Sequence, residues 1–232
     1  MSGIEDRRER RRALLALALI APAPSVGVAA AMVVAPGPIG QAVFTVAKIW
    51  LVALPAFWHL FVDRRPPSWS PPRHGGLGLG VATGLAAATV IVGAAWLFGI
   101  FGMNVGELVD EVADMGLGTP RAFLIGAVGW TLANSLMEEI VYRWFILSRC
   151  ETLLPRSAAV VASAILFTIH HVIALGTYLP WTLTTVASFG VFAGGVVWAL
   201  LYSRTRSIWP GWISHVLADA AIFAVGWVLL FG

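Results

Sequence analysis

Residues 77–101 read LGLGVATGLAAATVIVGAAWLFGIF, twenty-five positions without one ionisable side chain. About 20 helical residues cross a hydrocarbon core of roughly 30 Å, so this run is long enough to traverse a bilayer as one helix. It is apolar on every face, whereas a surface helix of a soluble domain keeps a polar side. Six further runs of comparable character lie at 13–34, 39–62, 120–147, 157–177, 179–202 and 208–231. Hydrophobic residues make up 59% of the 232 positions and charged residues 12%, against roughly 25% charged in a soluble domain. The expected fold is all-α, a polytopic transmembrane helical bundle of about seven spans, with residues 1–232 forming a single integral membrane domain. Pro22 and Pro24 predict a kink in the first run, and Pro36-Gly37-Pro38 ends it. The first run lacks a clear small-residue cleavage site and reads as a retained span rather than a removed signal peptide.

Charge between the runs sets the orientation, because cytoplasmic loops carry the excess of Arg and Lys. Arg7, Arg8, Arg10, Arg11 and Arg12 precede the first run, and Arg64, Arg65 and Arg73 follow the second. Arg149 and Arg156 follow the fourth, and Arg204 and Arg206 the sixth. All twelve fall on one side if seven spans alternate, while the other side receives Arg121 with Glu107, Asp110, Glu111 and Asp114. The expected location is the inner (plasma) membrane, with the N-terminus cytoplasmic and the C-terminus outside. In the acidic loop, Val105, Leu108, Val109 and Val112 recur at helical spacing opposite the acids, predicting a short helix on the outer membrane surface. The Pro-rich stretch from Pro66 to Pro72 reads as a connector.

A net charge of +3 does not point to nucleic acid, since the basic residues sit in short clusters between apolar runs. The single cysteine, Cys150, allows no intramolecular disulfide. One lysine against fourteen arginines, with abundant Ala and Gly, is a composition of GC-rich bacterial genomes.

The ionisable residues within the runs are Lys48, His59, Glu138, Glu139, Arg143, His170, His171, His215 and Asp219. Lys48 and His59 stand in the second run without a visible partner and read as structural. The other seven concentrate in the fourth, fifth and seventh runs, and a charge at mid-bilayer costs about 2.5–3.5 kcal/mol on insertion scales. Such groups face one another or a water-filled cavity.

In the fourth run, Glu139 and Arg143 stand at i and i+4 with the acid N-terminal, the favourable order for an ion pair. Glu138 is turned about 100° away, leaving it free to act as a general base near neutral pH. The fifth run supplies Phe167-Thr168-Ile169-His170-His171, and the seventh places His215 and Asp219 at i and i+4. Asp219 is placed to fix the tautomer of His215. A glutamate with two histidines supplies a base, a group that orients water and donors for an oxyanion, the equipment of hydrolysis. The same set could ligate zinc.

These three motifs, Glu-Glu-x-x-x-Arg at 138–143, Phe-x-x-x-His at 167–171 and His-x-x-x-Asp at 215–219, resemble those of the CAAX protease and bacteriocin-processing family of intramembrane endopeptidases, also called the Abi family. The resemblance centres on 120–232 and places the active-site residues on the fourth, fifth and seventh spans. It implies Glu138 as the base that activates water, His171 holding that water, Glu139 and Arg143 as a structural pair, and His215 with Asp219 stabilising the oxyanion. The best-known members carry Asn where Asp219 stands, and an ionised carboxylate cannot donate as an amide does. Asp219 is therefore either protonated or an orienter of His215. His170, about 100° off the face of His171, is a possible accessory.

No cofactor is expected on the family pattern. A zinc-dependent form would draw on Glu138, His171 and His215, although no His-Glu-x-x-His motif is present. The expected substrate is a membrane-associated protein or peptide, such as a peptide precursor, a membrane-anchored regulator or a C-terminal sorting tail. Two other function classes fit buried ionisable residues. A proton or ion relay is one, although the chain lacks the paired halves of many secondary transporters. A non-catalytic membrane scaffold is the other.

Overall fold

The structure, a computed structural model, describes residues 3–68, 70–72, 74–102 and 106–232, and among these it contains helices and no strand. Arg73 and Val105 lie outside the described residues. Among the described residues, six helices are long and apolar enough to cross a membrane: α1 (Glu5–Val34), α2 (Pro38–Val62), α3 (Leu77–Leu97), α6 (Arg156–Tyr178), α7 (Trp181–Thr205) and α8 (Trp209–Phe231). Between α3 and α6 lie the short α4 (Gly106–Asp114), in the acidic loop, and the helical segment α5 (120–153). The fourth of the seven expected runs is thus helical throughout, but α5 is not among the six. Its length includes Arg121, Glu138, Glu139, Arg143, Arg149 and Glu151, which dilute the apolar character.

Proline marks the helix starts. Pro22, Pro38, Pro120 and Pro210 each occupy a first-turn position, where the missing N–H has no intrahelical partner to lose. Pro22 restarts α1 after a one-residue turn at Ala21, where the kink was expected. Thr119 caps α5, its Oγ1 accepting from the Ala122 N–H at 3.3 Å. Within α5 the winding loosens to π-helix at Trp130–Asn134 and again at Glu139–Leu147, with one α-helical turn, Ser135–Glu138, between them. Such widened turns occur frequently at functional sites, and here they flank Glu138 while the second one carries Glu139 and Arg143.

The bundle closes by near approach of backbones. A Cβ at Gly80 of α3 would strike the backbone of Pro210, and one at Gly84 would meet Ser214 and Leu217, so these glycines let α3 lie against α8. At one end, Arg149 binds Asp63 at 2.5 Å, Arg206 binds Glu151 at 2.6 Å, and Ser207 Oγ donates to the Ser70 carbonyl at 2.7 Å. These bonds gather the 63–70, 149–151 and 206–207 segments whose arginines the charge bias assigns to one side.

Burial runs opposite to that of a soluble protein. Trp96 is 76% exposed and Phe189 71%, whereas Glu139 and Arg143 are fully enclosed. Apolar side chains cover the outside, as lipid requires, and the ionisable groups turn inward. They sit among Tyr142, Phe145, Phe167 and Trp198, at the centre of the apolar core.

Candidate active site

Three helices converge on Glu138. Its Oε1 accepts from Asn134 Nδ2, one turn earlier on α5, at 3.0 Å, and lies 3.9 Å from His170 Nε2 on α6. Its Oε2 lies 3.6 Å from His215 Nε2 on α8. The carboxylate is 5% exposed, and a cavity of about 20 Å³ opens beside it, lined by Lys48, Leu51, Met137, Glu138, Tyr142 and His170 among others. A space of that size, bordered by polar groups, accommodates a water molecule.

The histidines differ in what their second ring nitrogen does. His171 Nδ1 lies 2.9 Å from the Phe167 carbonyl. A carbonyl only accepts, so Nδ1 carries the hydrogen, and in the neutral ring Nε2 holds the lone pair. His170 Nδ1 is 3.1 Å from the Tyr142 hydroxyl, and the two rings stack at 12°. His215 Nδ1 donates to Glu139 Oε1 at 3.2 Å, while its face stacks on Trp198 with centroids 3.8 Å apart. Trp198 is itself fixed, since its Nε1–H donates to Ser214 Oγ at 3.0 Å. The orienting bond to His215 therefore comes from Glu139. Asp219 Oδ1 stands 3.7 Å from the opposite ring nitrogen, beyond hydrogen-bond reach.

Glu139 serves two neighbours with one oxygen. Oε1 meets His215 and also lies 3.6 Å from Arg143 Nε. Gly211 makes room for this arrangement, because a Cβ there would collide with Glu139 Oε2. The Arg143 guanidinium lies 4.6 Å from the Phe167 ring and 5.3 Å from that of Trp198. Among the described residues its three nitrogens have no hydrogen-bond partner, so cation–π attraction and the nearby carboxylate offset its burial.

The residues singled out in sequence thus come together, though not with the partners that spacing implied. Glu138, expected to stand without a cationic partner, accepts a hydrogen bond from the neutral amide of Asn134. The zinc set was drawn as Glu138, His171 and His215, whereas Glu138, His170 and His171 each place a ligand atom within 4.8 Å of the others. His170, expected about 100° off the face of His171, lies 3.9 Å from the same carboxylate, its ring centroid 4.1 Å from that of His171. His59 is bonded to the Pro66 carbonyl at 2.7 Å and packs on Trp144, a local role. Lys48, for which the sequence showed no partner, donates to Asn134 Oδ1 on a neighbouring helix at 2.5 Å. Asn134 carried a legible signal, four residues before Glu138 on the same face. Trp198 and Gly211 carried none, and the partner of Lys48 was not legible, since these contacts join distant segments.

Residues 120–221 match the family described as type II CAAX prenyl endopeptidase, Rce1-like. The matched segment contains every motif residue named above. No match was found among curated proteins or solved structures.

Proposed function

From the match of residues 120–221 to the Rce1-like type II CAAX prenyl endopeptidase family, we propose that the chain hydrolyses a peptide bond in a membrane-associated protein or peptide, with Glu138 activating water. The observation that carries this reading is a buried carboxylate that His170 and His215 approach from two other helices, beside a water-sized cavity that His170 also lines. Water held by His171 Nε2 loses a proton to Glu138 as its oxygen attacks the scissile carbonyl. The carbonyl oxygen becomes the oxyanion, and the His215 side of the site stabilises it. Glu138 then passes the proton to the departing amine as the C–N bond breaks. Glu139 holds His215 from behind, and Trp198 fixes the plane of its ring. Burial keeps bulk water from the reacting groups, while the bilayer supplies the substrate.

The substrates that fit are a peptide precursor, a membrane-anchored regulator or a C-terminal sorting tail. The test is purified protein in liposomes with a panel of membrane-inserted peptides, a farnesylated CAAX peptide included, and mass spectrometry of the products. Cleavage by the parent protein and none by Glu138→Gln is the expected result. Equal cleavage by both would remove the mechanism.

A zinc-dependent form of the same hydrolysis is the second reading, favoured by the convergence of Glu138, His170 and His171. The metal-free form is preferred because the family motifs assign Glu138 and His171 to the attacking water, and Asn134 already occupies one Glu138 oxygen. After stripping with a strong chelator and measurement of residual metal, the metal-free enzyme keeps its activity. Loss of activity with the metal, and its return on adding stoichiometric zinc, would establish the zinc form instead.

A further inference from the structure

We propose that Lys48 is a positioning residue for Glu138, acting through the side-chain amide of Asn134. The inference rests on the reading of Glu138 as the base and adds a residue from a helix outside the motif-bearing segment. Lys48 Nζ donates to Asn134 Oδ1 at 2.5 Å, and Asn134 Nδ2 donates to Glu138 Oε1 at 3.0 Å. An ammonium is donor-only, so it dictates which end of the amide faces it. The oxygen turns to Lys48 and the NH2 is delivered to the carboxylate. With the ammonium absent, the amide is free to flip and present its oxygen to Glu138.

The surroundings of Lys48 match this role. Its ammonium lies 5.3 Å from the Phe44 ring and 5.1 Å from that of Trp130, and both hold it by cation–π attraction. Lys48 and Glu138 border one cavity, so the cation stands close to the reacting group without displacing it. The relay also separates the two Glu138 oxygens. Oε1 carries the Asn134 bond, and Oε2 lies on the His215 side. Charge-assisted hydrogen bonds are shorter and stronger than neutral ones, and this chain places such a bond at its outer link.

Two measurements test the relay. The first needs no substrate. In the purified full chain, the infrared carboxyl band of Glu138 is identified as the band lost in Glu138→Gln. Lys48→Met and Asn134→Ala should shift that band in the same direction, and Lys48→Arg should leave it near its original position. If Lys48→Met does not accumulate, Lys48→Leu, which likewise removes the donor, carries the same measurement. A band unmoved by Lys48→Met, or by Asn134→Ala, overturns the relay.

The second measurement is kinetic, with the farnesylated CAAX peptide in liposomes or whichever panel peptide is cleaved. Lys48→Met should lower kcat by about 10–100-fold, as supporting-shell changes do, with KM within about twofold. Lys48→Arg should restore most of kcat, and the double variant Lys48→Met/Asn134→Ala should be no slower than Asn134→Ala alone. Independent losses in the double variant, or a Lys48→Met effect confined to KM, overturn the proposal. Absence of cleavage of any peptide by the parent protein would count against the protease reading, while the infrared result still decides the relay.

Discussion

Glu138 and Glu139 are chain neighbours with different surroundings, and their substitutions should separate. Glu138→Gln keeps the shape and an acceptor but deletes the base. Hydrolysis should fall by about 10²–10⁴-fold, the usual contribution of general-base catalysis, with the thermal transition little changed. Glu139→Gln keeps an acceptor for His215 but leaves Arg143 buried without an opposite charge, a loss of the kind that costs about 3–5 kcal/mol. The expected result is low yield and a reduced Tm, and a Glu139→Gln protein as stable as its parent would show that the ring contacts of Arg143 suffice. At Asp219 the expectation runs the other way. Its Oδ2 has no hydrogen-bond partner among the described residues, and the amide of Asp219→Asn adds a donor where the oxyanion forms. Turnover should be retained or increased. An inactive Asp219→Asn beside an active His215→Gln would displace the oxyanion assignment.

At the scale of elements, the site depends on how closely α8 approaches its neighbours. His215 and Asp219 ride on α8, which Gly80 and Gly84 admit against α3. Gly80→Ala would drive a methyl group into the Pro210 backbone, which cannot rotate away as a side chain can. Overpacking of this kind costs about 1–3 kcal/mol. The displaced α8 should carry His215 away from Glu138, so activity and Tm should fall together. By contrast, Gly93 on the same helix has nothing within reach of an added Cβ, and Gly93→Ala should be neutral or slightly stabilising in both measurements. Equal behaviour of the two variants would mean that the α3–α8 approach does not set the site.

For the whole molecule, the arginine distribution makes a claim about topology that reporters can check. A fusion after Gly232 should read as outside the cytoplasm and an insertion near Ser68 as inside. The same compartment for both would mean that α5 does not cross. That helix is where the span count turns, being helical over 120–153 yet less apolar than the other six. Much was already determined by the sequence alone. A bilayer demands long apolar helices, so composition and run length specify an all-helical bundle, and buried charge is costly enough that the few intramembrane ionisable residues mark the candidate site. Periodicity further placed Glu139 near Arg143, because i and i+4 share a helix face. What it could not reach was every contact between helices. Only the tertiary structure decided that Glu139 holds His215, that Glu138 meets Asn134 and His170, that Trp198 backs the imidazole, and that Lys48 joins from α2. Local spacing reports the geometry within one helix, whereas the rotation of each helix about its axis is fixed by packing against the others, and that rotation chooses the partners.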